Sequence, residues 1–114
     1  METNKIILPE YSKSYLNENP NSYRITTDGG YQEISPKDGK FFTLEEMNEY
    51  CNSRIVEFVF LPFDMILVVD EEGALKRDRK INWIATKIVH DVSGGTLNYF
   101  IYGNAMLIKE KEVE

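Results

Sequence analysis

The spacing of apolar positions changes several times along the chain, and each change marks an element. Ile6, Ile7 and Leu8 form a short apolar run stopped by Pro9, a candidate first strand. Residues 10–22 are polar and broken by Asn19-Pro20-Asn21. They predict a surface connection, or one ordered by packing of Tyr11, Tyr15 and Leu16. Residues 22–27 read as a strand with Tyr23 and Ile25 on one face. Asp28-Gly29-Gly30 is a hairpin turn, and residues 31–35 are the returning strand. Tyr31 and Ile34 fall out of strict alternation there, the pattern of a bulge.

Pro36-Lys37-Asp38-Gly39 is a second turn, and the best-signalled element follows it. Thr43 with Glu46 matches a capping box, and Phe42 with Met47 matches a hydrophobic staple. Glu45 and Glu46 also suit the positive end of a helix dipole. A helix is predicted over 43–52, with Leu44, Met47, Tyr50 and Cys51 on its apolar face. Residues 55–62 are β-branched and aromatic, apolar on both faces apart from Glu57, the pattern of a central strand. Pro62-Phe63-Asp64 turns the chain into a second strand at 65–70. Asp70-Glu71-Glu72-Gly73 is a tight turn, with a short extended piece at 74–76.

Ile81, Ile84, Ala85 and Ile88 recur at i, i+3, i+4 and i+7, so a second helix is predicted over 81–90, closed by Ser93-Gly94-Gly95. Residues 97–103 and 105–110 read as a final hairpin across Gly103-Asn104, and 111–114 as a charged tail that frays. The total is roughly six mostly antiparallel strands in hairpins and two short helices, an α+β class rather than a βαβ alternation.

Composition narrows the field. The chain has 114 residues, 42% hydrophobic, the size of a single domain (1–114) with a modest core. With 13 Lys and Arg against 19 Asp and Glu, the net charge is −6, which disfavours phosphate-rich ligands and suits a basic partner. No apolar run approaches the roughly 18 residues of a membrane span, and the start is not a signal peptide. The expectation is a soluble cytoplasmic protein with no membrane partner. One cysteine, Cys51, precludes an internal disulfide. One histidine, His90, is too few soft ligands for a zinc site. No metal, cofactor or catalytic residue is assigned.

Four pieces of the second half recur in a familiar order. They are Phe42-Thr43-Leu44-Glu45-Glu46; Ile55-Val56-Glu57 leading to Val69-Asp70-Glu71-Glu72-Gly73-Ala74-Leu75; Asn82 with Ala85 and Thr86; and Tyr102-Gly103-Asn104-Ala105-Met106-Leu107-Ile108. Residues 31–110 thereby resemble the small proteins catalogued as domain of unknown function 3846, carried by phages, plasmids and other mobile elements. In that pattern the turn before the second hairpin strand is usually Asp-Gly-like, and here it is Pro62-Phe63-Asp64. The acidic turn there often begins with Asn, and here it begins with Asp70. The resemblance implies a small cytoplasmic accessory protein, with residues 1–30 as a variable part. It implies no activity and carries over no catalytic residue.

Several constellations carry chemistry on paper. Asp70, Glu71 and Glu72 are carboxylates in a glycine-ended turn, but a calcium loop needs further oxygen ligands that Gly73-Ala74-Leu75 does not supply. A solvated turn is the simpler reading. Asn82 and Thr86 lie four apart, as ligand-binding groups or as a helix cap and a hydroxyl bonded back to the helix. Lys76, Arg77, Arg79 and Lys80, with Trp83 beyond, have the ingredients of a phosphate site with a stacking aromatic. The acidic turn nearby offers ion-pair partners instead. His90 beside Asp91 has the form of a base and its orienter, or of a cation at a helix C-terminus. Seven tyrosines suit an interface or the rim of a small core.

These readings favour a non-catalytic protein-interaction module of a phage or mobile element. Its partner would be a host or element protein, and a counter-defence inhibitor is its most pointed form, with imitation of nucleic acid by acidic residues as one variant that the net charge alone does not establish. The alternative is a nucleotide or nucleic-acid binding module that uses the basic and aromatic segment 76–83 through Arg77, Arg79, Lys80 and Trp83; Asn82 and Thr86 are further binding candidates for a ligand or partner of either kind. An enzyme resting on carboxylates or on His90 and Asp91 ranks last.

Overall fold

The computed structural model describes residues 21–114. The apolar run at 6–8 and the connection at 10–20 lie outside the described residues. Five strands form one antiparallel sheet: β1 (Ser22–Ile25), β2 (Tyr31–Ile34), β3 (Val56–Leu61), β4 (Met65–Asp70) and β5 (Ala105–Lys109), in the order β2-β1-β5-β4-β3. Helix α1 (Leu44–Cys51) and helix α2 (Trp83–Val92) complete the α+β domain. Short 3-10 turns follow β4 at Gly73–Leu75 and β5 at Glu110–Glu112.

The helices take opposite faces of the sheet. Ala85, Ile88, Val89 and Val92 of α2 pack with Tyr23, Ile25, Leu67 and Leu107. Met47 and Cys51 of α1 pack with Ile34, Ile66, Val68 and Met106. Both faces are therefore covered over β4 and β5, and β4 is buried at every position. This is why MILVVD shows no polar alternation, although antiparallel sheets commonly leave one face wet. It also removes the bulge expected at 31–35. The β1–β2 register runs unbroken from Ser22↔Ile34 to Ile25↔Tyr31, and Tyr31 and Ile34 simply serve opposite clusters.

Three further expectations are corrected. Strand β3 is an edge strand, and β5 is the middle one. The apolar look of 55–62 misleads because Phe60 stands 66% exposed on that edge. Residues 97–103 form no strand, only a single bridge between Ile81 and Tyr102, so five strands are described rather than about six. The tail at 111–114 is pinned rather than frayed. The Glu112 carboxylate accepts from the Ser22 hydroxyl and from the Lys109 N–H, and its carbonyl accepts from the Phe42 N–H at 2.9 Å.

Helix α1 starts as its sequence says. The Thr43 Oγ1 accepts from the Glu46 N–H at 3.0 Å and the Glu46 carboxylate accepts from the Thr43 N–H at 2.8 Å. Phe42 and Met47 are both buried. Leu44, assigned to the apolar face, is exposed. The helix closes at Asn52, whose φ of 52° is left-handed, a conformation asparagine tolerates.

Candidate functional site

The segment from 73 to 104 is built around the start of α2, which is Trp83 rather than Ile81. Asn82 is wholly buried and is its N-cap. The side-chain oxygen accepts from the Ala85 N–H at 3.0 Å. The amide nitrogen donates to the carbonyls of Ile25 at 3.0 Å and Gly103 at 2.9 Å. One side chain thus satisfies a helix end, a strand end and a turn, all of which would otherwise hold orphaned polar groups. Thr86 stands one turn on, and its hydroxyl oxygen accepts from the Ile101 N–H at 2.8 Å. The Ile101 carbonyl in turn accepts from the Asn82 N–H at 2.7 Å.

Asn82 and Thr86 therefore nail the stretch 98–102 to α2. Asn82, counted among the binding candidates, faces no solvent, and its side-chain hydrogen bonds are all to backbone groups of the fold. Gly73 is held close to the same stretch, since a Cβ there would sit 2.8 Å from the Tyr102 carbonyl oxygen.

With Ile101 buried as the peg, its neighbours turn outward. Trp83 is 61% exposed, Phe100 51% and Tyr99 46%. Trp83 meets Phe100 edge-on, with centroids 5.7 Å apart and planes at 83°. Phe100 meets Tyr102 at 6.4 Å. The Arg79 guanidinium lies 5.6 Å from the Tyr102 ring, a cation–π contact that ends the ridge. Between α2 and this arm is a cavity of about 300 Å³ lined by Trp83, Thr86, Lys87, His90, Asn98, Tyr99 and Phe100. It is a mostly apolar concavity with a few polar groups converging on it, the usual form of a binding site.

The basic cluster is only partly free. Lys76 pairs with the buried Asp70 at 2.8 Å and donates to the Asn52 carbonyl at 3.1 Å. Arg77, Arg79 and Lys80 are exposed. Arg79 and Lys80, with Lys76, Asp70 and Asp78, line a polar cleft of about 230 Å³. The acidic turn is engaged elsewhere. Asp70 also accepts from the Glu72 N–H at 2.9 Å, and Glu72 takes the Arg54 guanidinium in a two-point grip. Glu71 alone of the three is fully exposed. The extended piece expected after the turn is instead the 3-10 turn Gly73–Leu75.

The remaining candidates separate in space. His90 Nδ1 lies 3.6 Å from the Asp91 carboxylate, at the C-terminal end of α2. Cys51 is buried on the opposite face of the sheet, donating to the Val68 carbonyl. Burial, reinforced by the charge of Asp70, pushes its thiol up to about 12, so the thiolate a nucleophile needs is scarce. Among the described residues no cluster of His, Cys, Asp and Glu is placed to hold a metal ion. Nor is any helix among them long and apolar enough to cross a membrane. Of the five described tyrosines, only Tyr99 and Tyr102 join the exposed arm, while Tyr23 belongs to the core and Tyr31 and Tyr50 to its rim.

Of the residues lining this cavity, the sequence marks Trp83 and Thr86 as binding candidates, His90 as a candidate base and Tyr99 as one of seven interface-prone tyrosines; it does not mark Lys87, Asn98 or Phe100, nor join any of them into one site. Trp83, Thr86, Lys87 and His90 recur at i, i+3, i+4 and i+7, which by itself places them on one helix face opposite the buried stripe. Tyr99 and Phe100 fall within the strand expected at 97–103, which the structure does not form.

No family model matches the chain, and no curated protein or solved structure matches it.

Proposed function

We propose that the protein is a non-catalytic protein-interaction module whose docking surface is the aromatic arm against α2. The observation that carries this reading is the contiguous exposure of Trp83, Tyr99 and Phe100 around one cavity. Exposed large aromatics are costly in solvent and are enriched where partners bind. Here they stand on a frame fixed by the Thr86–Ile101 and Asn82–Ile101 hydrogen bonds, so a partner meets a surface that is already ordered. The resemblance of residues 31–110 supports an accessory role in a phage or mobile element, acting on a host or element protein. A counter-defence inhibitor is the finer form of that role.

The test compares proteins that co-purify with the full chain and with the Trp83→Ala/Phe100→Ala double variant. A partner held by the first and lost by the second supports the module. A partner retained equally by both moves the surface elsewhere, and recovery of no specific partner by either counts against an interaction role altogether.

The alternative, a nucleotide or nucleic-acid binder, draws on the line of Arg79, Tyr102, Phe100 and Trp83. Two observations weigh against it. The rings meet edge-on rather than presenting successive parallel faces for bases to stack on. The chain also carries a net charge of −6. Salt-sensitive binding of a single-stranded oligonucleotide would favour it.

A further inference from the structure

From charge and shape around the cavity, and resting on the docking reading above, we infer that the arm takes an acidic peptide segment anchored by one apolar side chain. The whole chain is acidic, yet no acidic residue lines this cavity. Its basic lining groups are Lys87, which makes no ion pair among the described residues, and His90, whose Nδ1 lies 3.6 Å from the Asp91 carboxylate, so Lys87 is the free cation of the cavity. Arg79 stands at the opposite end of the ridge, beyond Tyr102. The other side of the arm has the opposite sign: Glu57 and Glu71, beside an Asp70 already paired with Lys76, line a second cavity of about 140 Å³ that shares Tyr99 and Phe100. Burial, with the charge of Glu57, also pushes the Tyr99 hydroxyl up.

The aromatic arm is thus a divide between a cationic and an anionic side. An anionic segment is drawn to the α2 side and turned away from the other. The apolar walls of Trp83, Tyr99 and Phe100 then accept a side chain of leucine size, and carboxylates on either side of it reach Lys87 and, along the ridge, Arg79. The polar contacts left for the segment are the Thr86 hydroxyl proton and the Asn98 amide.

The test uses the full chain and reads the emission of Trp83, the one tryptophan in the sequence. The probes are a capped pentapeptide of four aspartates around a central leucine, the same peptide with lysines for the aspartates, the same with serine for the leucine, and pentathymidylate. The aspartate–leucine peptide is expected to shift the emission and saturate, with an affinity about tenfold above the lysine and serine peptides. Lys87→Glu, on an exposed helix position, is expected to abolish the preference for aspartate over lysine. Phe100→Ala is expected to lose the leucine preference while keeping the reporter.

Equal or tighter binding of the lysine or serine peptide overturns the inference, as does tighter binding of pentathymidylate or the absence of any saturable change. If such a failure is accompanied by a partner that the Trp83→Ala/Phe100→Ala variant still loses, the docking surface stands and only the chemistry assigned to its occupant falls.

Discussion

The two helices begin in different ways, and the difference separates what is local in this molecule from what is not. Helix α1 is started by its own neighbours: Thr43, Glu46, Phe42 and Met47 all lie within six consecutive residues. Helix α2 is started by Asn82, whose amide reaches Ile25, 57 positions away, and Gly103, 21 positions away. One start is a local device that would favour a helix in an isolated peptide. The other exists only when β1, the turn before β5 and α2 have met. The exposed arm is attached to the second kind of start. Its geometry therefore depends on the assembled domain rather than on the stretch 98–102 itself.

That contrast can be broken by substitution. Asn82→Ala should have the largest effect, about 3 kcal/mol or more, because it removes a cap and leaves two carbonyls without their donor. Urea denaturation measures it. Asn82→Asp keeps the capping oxygen and loses both donors. If it restores most of the stability, the long-range tie is unimportant and the contrast fails.

Thr86→Val should follow at about 1–3 kcal/mol, since it leaves the Ile101 N–H without its acceptor. It should also raise the amide exchange rate of Ile101 more than that of α1 residues. Thr43→Ala should cost about 1 kcal/mol, the ordinary worth of an N-cap, and leave the exchange of Ile101 unchanged.

The smallest effect is a pH dependence. Burial pushes the Glu46 carboxyl up. Hydrogen bonds from the Thr43 N–H, the Lys37 N–H and the Thr43 hydroxyl together outweigh it and hold the carboxyl below the ordinary glutamate range. A group lowered in the folded state stabilises above its unfolded value, near pH 4.3, and loses that contribution as pH falls through the folded value. The stability gap between wild type and Glu46→Gln should therefore be widest near neutrality and close in acid. Thermal melts across that range would show a constant gap if the charge is irrelevant.

Sequence was informative where the cause was short-ranged. Thr43-x-x-Glu46 marks α1 because both partners sit within one turn, and the spacing Ile81, Ile84, Ala85, Ile88 marks α2, where Ala85 and Ile88 are buried, Ile84 packs at the core's edge and Ile81 lies just before the helix. It failed where neighbours in space decide. Residues 97–103 have strand-like composition, but Thr86 and Asn82 take the backbone groups of Ile101 that a strand partner would have used. Residues 55–62 look central, yet their position in the sheet depends on β5 arriving from fifty residues further on between β1 and β4.

For the site, Trp83 and Arg79 were visible as residue types near one another. Their joining through Phe100 and Tyr102 was not, because it needs the arm folded back along α2.

The buried sulfur of Cys51 gives this domain a built-in clock. Its thiol is pushed up to about 12, so at pH 8 only roughly one molecule in ten thousand holds a thiolate while closed. A thiol reagent in water must therefore wait for α1 to lift from the sheet. Because the chain has no second cysteine, every labelled molecule records exposure of this one site: with reagent in excess the labelling rate approaches the opening rate of that face, and with dilute reagent it follows the open population.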